Sequence, residues 1–387
     1  MKWKFYSLAF VAGMSILTAC SSDDNNDNDG NGNGNEIENG TILKGTITSD
    51  VTLAAGNTYK LSGEYIVEEG GTLHIEEGVK IIAVYDDIAD YILVKQGGKI
   101  NAVGTPDKPI VMTSEKEEPG AWGGIHICGR AHTNAEGGKG SSEIGGAVYG
   151  GNDDADNSGT LQYIRLEYTG FAFDEEHEAN GISFYSVGNG TIVDHCQAYK
   201  GSDDGFEFFG GSVNVSNLVA VSCSDDSFDW TEGWNGKGTN LVAYQEAEST
   251  LGYDCDCLME CDNNGSNNAA TPVAHPVLKN LILVGNGGSK QGIRLRAGTE
   301  VEIDNAKVCG KGQPLTVETA LTENALKNGT SKLTNITLTS ELSSKEGIYT
   351  HADFIAVTSN KVDANLSYSS FEDIRKECSW MNGSWVK

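Results

Sequence analysis

The sequence predicts an all-β protein whose chain winds into a parallel β-helix. Three observations support this fold class. The segments Gly201–Phe208 (GSDDGFEF) and Cys223–Trp230 (CSDDSFDW) are alike and lie 22 residues apart (223 − 201), as expected of stacked repeats. An aliphatic residue recurs two positions before an asparagine, at Asn217, Asn280 and Asn305. Tight hairpin signals are scarce, which argues against a sandwich of short antiparallel strands.

The first element is predicted to be a cleaved signal peptide, residues 1–19. Two lysines precede the apolar run of residues 5–18, which is too short to span a bilayer. The run ends in Leu-Thr-Ala-Cys20, which resembles the lipobox of bacterial lipoproteins, so Cys20 is predicted to become the lipidated N-terminus. The alternative is an ordinary secretory signal with an incidental cysteine.

Residues 20–40 are predicted to form a disordered acidic tether, because this Asp-, Asn- and Gly-rich tract has too few apolar residues to build a core. Its early Asp23-Asp24 pair resembles the surface-export signal of lipoproteins in the Bacteroidetes. We therefore expect a lipid-anchored protein of the outer membrane that faces the extracellular side. The membrane lipid would be one of its partners.

Residues 41–387 are predicted to form the β-helix domain. Its strands have one buried face, because apolar residues occupy alternate positions and the residues between them must point outward. We expect about ten coils, each rising about 4.8 Å, in a rod on the order of 50 Å long. The apolar alternate positions are Ile182/Phe184, Phe206/Phe208, Phe228/Trp230 and Ile293/Leu295.

The recurring asparagines predict a ladder of side-chain amides. Stacked amides can each donate a hydrogen bond to the next, as in parallel cross-β stacks. The alternative is that Asn merely marks turns, where it tolerates left-handed φ. Asn240 and Asn335 sit in similar contexts, while Tyr163 and His195 take the Asn place in earlier segments.

The chain is predicted to end in a short helical cap. In Ser369–Cys378, the residues Phe371, Ile374 and Cys378 recur at helical spacing. Trp380 and Trp385 follow and could close the core.

The composition is strongly acidic. Lys and Arg total 27 against 55 Asp and Glu, a formal net charge of −28. Such a chain repels phosphate backbones and anionic lipid surfaces, so we expect no nucleic acid among its partners. We therefore expect a soluble, glycine-rich protein that is a monomer. Its acidic residues could bind cations.

Eight cysteines besides Cys20 permit disulfides in an exported chain, in 105 pairings among which the sequence does not choose. The cluster Cys255-Asp-Cys257-Leu-Met-Glu-Cys261 matches no zinc spacing, so a disulfide-tied loop is favoured over a thiolate metal site. The eight are Cys128, Cys196, Cys223, Cys255, Cys257, Cys261, Cys309 and Cys378.

Seven motifs recur in a characteristic order along the chain. They are Gly71–Lys80, Gly97–Thr105, Pro109–Ser114, Trp122–Ile125, Tyr149–Asp153, Asp203–Gly211 and Asp225–Trp230. Taken in this order, they resemble Bacteroidetes surface lipoproteins with a right-handed parallel β-helix of the pectate-lyase-like superfamily. The resemblance runs from about residue 41 to the C-terminus and implies a right-handed coil. It implies less about function, because that superfamily hosts lyases, hydrolases, adhesins and plain binders.

The pairs Asp203-Asp204 and Asp225-Asp226 occupy equivalent places one coil apart. Four carboxylates at strand spacing repel one another unless they are protonated, hydrogen-bonded to turn amides or bridged by a cation. Calcium suits oxygen-only ligands, so Ca²⁺ is the predicted cofactor. The alternative is that each Asp only caps local amides. Possible added ligands are Glu207, Asp229 and Glu232. Other candidates are Asp153, Asp154 and Asp156 in the insertion from Gly129 to Gly159, and residues Asp174 to Glu178, for which solvated loop charge is the favoured interpretation.

The residues between the core positions predict a binding surface for a glycan. If their strands share one sheet, acidic, aromatic and guanidinium side chains lie in a ladder on a flat face, where sugar rings can stack and Arg can bind carboxylates. The alternative is a solvated face with salt bridges from Arg294 or Arg296 to nearby acids. The ladder comprises Ser183, Tyr185, Glu207, Phe209, Asp229, Thr231, Arg294 and Arg296, flanked by Trp234 and Tyr244.

The resemblance also implies an enzymatic alternative. Lyases of the superfamily use an Arg or Lys base beside Asp-held calcium, and Asp203-Asp204 and Arg294-Leu-Arg296 are similar to two parts of polygalacturonase-type hydrolases. The Ser-His-Gly of those hydrolases is missing, and His195 lies in Asp-His-Cys instead. The candidate catalytic residues are Asp203, Asp204, Asp225, Asp226, Arg294 and Arg296.

These observations together predict a lipid-anchored cell-surface β-helix that binds a glycan or host ligand and is stabilised by calcium. The first alternative is a polysaccharide lyase or glycoside hydrolase acting on acidic polysaccharide. The second is an adhesin or structural surface protein that uses the rod as a spacer.

Overall fold

A computed structural model of the chain describes residues 35–86, 88–173 and 177–387. The predicted signal peptide, Cys20 and most of the predicted tether lie outside these residues. Within the described part, no helix is both long and apolar enough to cross a membrane.

The chain forms a right-handed parallel β-helix, as the sequence predicts. Every pairing between described strands is parallel except that of β11 with β12. The strands are β1 (Asn35–Ile37), β2 (Ile42–Ile47), β3 (Val51–Leu53), β4 (Thr58–Val67), β5 (Thr72–Ile75), β6 (Lys80–Ala83), β7 (Tyr91–Val94), β8 (Lys99–Val103), β9 (Ile110–Ser114), β10 (Ile125–Cys128), β11 (Gly140–Ser141), β12 (Val148–Tyr149), β13 (Gly159–Glu167), β14 (Ile182–Tyr185), β15 (Ile192–Tyr199), β16 (Phe206–Phe209), β17 (Asn214–Val221), β18 (Phe228–Thr231), β19 (Lys237–Tyr244), β20 (Met259–Cys261), β21 (Val277–Val284), β22 (Gln291–Leu295), β23 (Glu302–Cys309), β24 (Gln313–Val317), β25 (Lys332–Leu338), β26 (Ser343–Ser344) and β27 (Lys361–Val362).

Four short α-helices are present among the described residues. They are α1 (Glu248–Leu251), α2 (Ala320–Asn328), α3 (His351–Ala356) and α4 (Phe371–Glu377), with 3₁₀ turns at Glu136–Gly138 and Ser379–Met381.

The strands stack into three sheets that enclose the core. Sheet A contains β1, β3, β5 and β8, and continues through the first halves of the long strands from β13 to β25. Sheet B contains the starts of β2 and β4, then β6 and β9, the second halves of the same long strands, and β27. Sheet C contains the ends of β2 and β4, then β7, β10, β14, β16, β18, β20, β22, β24 and β26.

The predicted apolar positions of sheet C all point into one continuous core. Aromatic rings repeat there from coil to coil and therefore stack. The Phe184 and Phe208 rings lie 5.0 Å apart, and those of Phe206 and Phe228 lie 5.6 Å apart. Pairs of this kind add roughly 0.5–1.5 kcal/mol to the free energy gained from apolar burial.

The corner between sheets A and B is formed by residues in the left-handed region, with φ from 52° to 63°. Asparagine adopts this conformation more readily than most residues, so the turn interpretation of the asparagines is confirmed. The corner residues are Tyr163, His195, Asn217, Asn240, Asn280, Asn305 and Asn335.

The amide ladder is confirmed as well. Asn240 donates from Nδ2 to Asn217 Oδ1 at 2.8 Å, Asn280 donates to Asn240 at 2.9 Å, and Asn305 donates to Asn280 at 2.8 Å. The last corner amide leaves the ladder, because Asn335 Nδ2 donates to the Asp304 carboxylate. The corner therefore needs asparagine both for its backbone and for its side chain.

The predicted C-terminal helix forms as α4, but it lies along the side of the coil. Ile374 of α4 and the following Trp385 pack with Val219 and Ile282, which project outward from sheet B. The expectation that Trp385 closes the core is therefore wrong, because its ring covers an outer apolar face.

The C-terminal end of the core is closed by another segment. Tyr349 and Phe354, the latter on α3, belong to the same apolar cluster as the last strands of the coil. A short helix does cap this end, but it precedes the helix that the periodicity of the sequence indicated.

The expected disulfide-tied loop is wrong. The eight described cysteines are free and buried. Cys223 and Cys261 fill the core as small apolar side chains. The loop before β20 is held instead by backbone hydrogen bonds, in which Cys257 N donates to the Asp226 carboxylate at 2.6 Å and Asp256 N to Ser224 O at 3.1 Å.

Replacing Asn240 by Asp tests the amide ladder. The substitution keeps the side-chain shape and its acceptor, but it removes the donor to Asn217 and sets a carboxylate against an amide oxygen. We expect Asn240→Asp to lower the free energy of unfolding by about 1–3 kcal/mol, measured by chemical denaturation. The exposed Asn365→Asp is the matched control. Equal stability of the two variants would contradict a stabilising ladder.

Candidate functional site

A cleft of about 390 Å³ runs beside sheet C, where the loops from sheet B enter it. Its described lining consists of ten carboxylates and one guanidinium, and we call it the acidic cleft. The lining residues are Glu143, Glu178, Asp203, Asp204, Glu207, Asp225, Asp226, Asp229, Asp256, Glu260 and Arg294.

The floor of the acidic cleft is a single file of outward-pointing residues. Strand pairing places Ser183 beside Glu207, Glu207 beside Asp229, Asp229 beside Glu260, and Glu260 beside Arg294. The neighbouring positions on each strand point into the core. The predicted ladder on a shared sheet is therefore confirmed.

The predicted Asp pairs form the wall of the cleft, and the inner member of each pair binds the next coil. Asp204 Oδ1 accepts a hydrogen bond from Asp226 N at 2.8 Å, and Asp226 Oδ1 accepts one from Cys257 N at 2.6 Å. The amide-capping interpretation thus holds for Asp204 and Asp226. Asp203 and Asp225 bring their carboxylates together with that of Glu178.

Carboxylate oxygens of different residues converge within 4.8 Å of one another in three oxygen-only groups. Two buried oxygens beside them have no hydrogen-bond partner within the described structure: Asp229 Oδ1 and Asn180 Oδ1. The amide nitrogen of Asn180 donates to Glu207 at 2.6 Å, so this side chain adjoins the cleft. The groups are Asp204/Glu207/Asp229, Glu178/Asp203/Asp225 and Asp204/Asp225/Asp226.

Burial raises the pKa of the aspartates in these groups and of Glu207, and repulsion from neighbouring carboxylates raises it further. The pKa of Asp203 is about 8, raised by burial and by the charge of Asp225. The pKa of Glu143 is about 7 and that of Asp225 about 6, with burial as the largest cause in both. The pKa also lies well above the ordinary value for Asp204, Glu207, Asp226 and Asp229.

The two arginines of the predicted ladder are held in salt bridges. Arg294 contacts Glu260 at 3.1 Å and Glu318 at 3.3 Å. Arg296 contacts Glu260 and, at 2.7 Å, Asp262. The salt-bridge alternative for this face is therefore confirmed.

These contacts affect what the arginines can do. Burial alone would lower the pKa of Arg294, but its hydrogen bond to Glu318 and the charge of Glu260 raise it above the ordinary value. A guanidinium held in this way is a poor Brønsted base, so the arrangement does not favour a lyase that uses Arg294 in that role.

The aromatic residues of the predicted binding surface are covered. Tyr185 is fully buried beneath the insertion, where its ring lies 5.1 Å from that of Tyr149 and its hydroxyl donates to Glu143 at 3.1 Å. Phe209 is 8% exposed and stacks on Tyr185. Neither ring presents an open face to a sugar.

The two predicted flanking aromatics lie elsewhere. Trp234 is 1% exposed and stacks on Phe208 inside the core, so the expectation that it flanks the surface is wrong. The tight turn at Gly233, with φ of 87°, turns the chain inward just before it. Tyr244 lies at the end of its strand against Phe371 of the C-terminal segment, outside the lining of the cleft.

The further metal candidates also have other partners. Glu232 accepts hydrogen bonds from Thr133 and Tyr149, and Asp154 pairs with His132. Asp153 and Asp156 accept backbone N–H groups of their own insertion. Of the stretch from Asp174 to Glu178, residues 174–176 lie outside the described residues, whereas Glu178 lines the cleft.

Sequence reasoning missed several residues that complete the cleft. Asp256 and Glu260 lie within the cysteine cluster. Glu260 could have been predicted as the neighbour of Asp229 in the next coil, if the longer loop before its strand had been taken into account. Glu143 comes from the insertion and Asn180 from a loop before β14. No periodic signal in the sequence points to these last two.

The donor set fits a hard cation. Ca²⁺ takes six to eight oxygen ligands, and the cleft offers oxygen-only groups with two buried unpartnered oxygens beside them. A soft metal fits less well, because burial strongly raises the pKa of the one neighbouring thiol, Cys257.

Comparisons with known proteins bear on the fold. A family model described as a pectate-lyase like beta helix domain matches residues 45–386. No curated protein matches the chain. A solved structure, that of the Dettilon tailspike protein, is similar at 9% identity with a TM-score of 0.29, over 76% of this chain and 52% of that one. The chain thus spans about half the length of that protein, and a likeness this distant carries no argument about function.

Stability should depend on pH through the raised carboxyl pKa values. The folded protein binds protons at Asp203 more tightly than the unfolded chain does, so this contribution is full below the ordinary pKa of 3.8 and is lost as the pH rises through about 8. We expect the Tm in chelator to fall between pH 5 and pH 8.5.

The double variant Asp203→Asn with Asp225→Asn should flatten this dependence, since a carboxamide does not ionise. The exposed Glu341→Gln serves as control and should keep the wild-type profile. A double variant that follows the wild-type profile would show that these carboxyls do not titrate as described.

Proposed function

We propose that this chain, which belongs to the pectate-lyase-like β-helix family, binds a glycan through Ca²⁺ held in its acidic cleft. Asp203, Asp204, Asp225 and Asp226 would supply the principal carboxylates. Glu207 and Asp229 on the floor would add oxygen ligands.

The observation that carries this proposal is the convergence of buried carboxylate oxygens in a cleft where carboxylates outnumber cations, although Lys290 pairs with Asp256. Ten carboxylates share the described cleft with Arg294, and that guanidinium is already bound to Glu260 and Glu318. At neutral pH such a cluster needs protons or a bound cation to relieve the repulsion. A divalent cation does so and leaves coordination positions open.

Those open positions are what would connect the ion to a sugar. Ca²⁺ accepts oxygen ligands in flexible geometry, and sugar hydroxyls and uronate carboxylates are such ligands. Without the ion the cleft would repel a uronate. Glycan binding should therefore depend on Ca²⁺ rather than on stacking, since Tyr185 and Trp234 are buried.

Calcium should stabilise the protein and switch on glycan binding. At a Ca²⁺ concentration near 100 times its Kd, we expect about 2.7 kcal/mol of added stability relative to EDTA. Polygalacturonate should then bind in Ca²⁺ and not in EDTA, measured by calorimetry. Asp203→Asn with Asp225→Asn should lose both effects, and Glu341→Gln should keep them. Melting curves that coincide in Ca²⁺ and in EDTA would refute the ion.

Glycoside hydrolysis is the second candidate function, and the raised pKa values favour it. Asp203, with a pKa of about 8, is protonated at neutral pH, as a general acid requires, and Asp225 with a pKa of about 6 lies beside it. The same incubation with polygalacturonate distinguishes the two functions. Sustained release of reducing ends, lost in Asp203→Asn, would make the chain an enzyme rather than a binder.

We further propose that the protein is anchored at the cell surface by lipid on Cys20. The support is the lipobox-like Leu-Thr-Ala-Cys20 and the acidic Asp23-Asp24 that follows it. The anchor would leave the coil outside the outer membrane, where glycans are encountered, with the acidic tether as spacer.

Cys20→Ser should abolish incorporation of radiolabelled palmitate and release the protein from membranes. Protease added to intact cells should degrade the wild-type protein. Protection from protease in intact cells, with digestion only after lysis, would place the anchored protein on the periplasmic face instead.

A further inference from the structure

We propose that a second pocket, on the coils that precede the acidic cleft, binds a neutral sugar ring without Ca²⁺. This aromatic pocket has a volume of about 310 Å³. It lies where the loops that follow β6, β9 and β13 turn from sheet B into sheet C. Its principal lining residues are Tyr85, Asp86, Lys116, Glu118, Pro119 and Phe171.

The loops that form this pocket carry exposed apolar side chains. Tyr85 is 56% exposed and lines it, and Ile88 and Phe173, from the same loops, are 57% and 41% exposed. The Phe173 ring contacts that of Phe171 edge to face at 5.1 Å. Most other aromatic rings near sheet C are buried, so this pocket offers the open aromatic surface that the acidic cleft lacks.

The Tyr85 ring is held in place by Lys116. Its Nζ lies 4.5 Å from the ring centroid and 3.1 Å from the Tyr85 hydroxyl, and it also contacts Glu118 at 2.9 Å. Because the ammonium lies over one face of the ring, a ligand can stack only on the other face. A pyranose ring stacks on such a face through its C–H groups, much as apolar groups pack on aromatic rings.

Polar groups at the rim suit the hydroxyls of a sugar. Asp86 and Glu118 offer carboxylate oxygens as acceptors, and Asp86 is fixed by a hydrogen bond from Ile88 N at 2.9 Å. A wall that is part apolar and part hydrogen-bonding is typical of small-molecule sites of this size.

The local charge selects against acidic sugars. Asp86 and Glu118 outnumber Lys116 in the lining, and Lys116 is already paired with Glu118. A uronate would therefore be repelled, whereas a neutral hexose or pentose would not.

The test uses a panel of neutral oligosaccharides: cellohexaose, xylohexaose, mannohexaose and galactohexaose. Saturation-transfer NMR should detect at least one ligand, and calorimetry should then give its Kd. Tyr85→Ala should weaken binding about tenfold or more, while Tyr85→Phe, which keeps the ring, should stay near the wild type. Ile355→Ala, at an exposed apolar residue on α3, is the matched control.

The two sites are separated by EDTA and by the cleft variants. Binding of the neutral sugar should persist in EDTA and in Asp203→Asn with Asp225→Asn, whereas binding of polygalacturonate should be lost. Absence of any ligand in the panel, or wild-type affinity in Tyr85→Ala, would overturn the proposed pocket. Loss of neutral-sugar binding in EDTA would assign the sugar to the acidic cleft instead. None of these results alters the polygalacturonate test, so the two proposals fail separately.

Discussion

The structure depends on the register in which each coil lies on the one before it. Parallel pairing sets like positions of successive coils beside one another, so a residue type that recurs in the sequence becomes a file of side chains in space. The same register brings Asn240 onto Asn217 and Asp229 onto Glu207. For amides the result is a chain of hydrogen bonds, and for carboxylates it is repulsion that some other group has to relieve.

The file of asparagines and the file of carboxylates differ in the hydrogen bonds that their side chains can make. An amide both donates and accepts, so a ladder of asparagines satisfies itself and also tolerates the left-handed corner. A carboxylate only accepts. The inner carboxylates Asp204 and Asp226 accept hydrogen bonds from backbone N–H groups on the next coil, but Asp229 on the floor keeps a buried oxygen that has no hydrogen-bond partner among the described residues. The raised pKa of Asp229 therefore favours protonation of this carboxyl at low pH.

The features that depend on this register could be predicted from the sequence. The core positions, the outward file and the amide ladder all depend on alternation or on repeat spacing, and all three are confirmed. Features built by contacts outside the repeat were not predictable. Tyr185 points outward from its strand as expected, yet the insertion covers it, and the length of an insertion does not say where it packs.

For the C-terminal segment, the sequence likewise predicted the local structure but not the surface on which it packs. The spacing of Phe371 and Ile374 correctly indicated a helix, because helical periodicity is local. The surface it covers is set by the outward valines and isoleucines of sheet B, such as Val219 and Ile282, and these belong to strands far away in the sequence. Periodicity identifies an apolar face, but not the partner of that face.

The aromatic pocket and the acidic cleft lie along one edge of the coil, where the loops that form them pack closely together. Apart from the insertion that carries Glu143, the loops of the aromatic pocket and of the acidic cleft lead from sheet B into sheet C, and the two sets meet at Ser202. A Cβ on Gly170 would lie 2.3 Å from Ser202 Oγ, and one on Gly120 would lie 2.9 Å from it, so both positions require glycine for the loops to touch. Because each coil contributes its own loop to this edge, neighbouring loops can differ in chemistry while the sheets beneath them remain in register. A linear glycan laid along the edge would therefore meet an apolar ring first and the carboxylates afterwards.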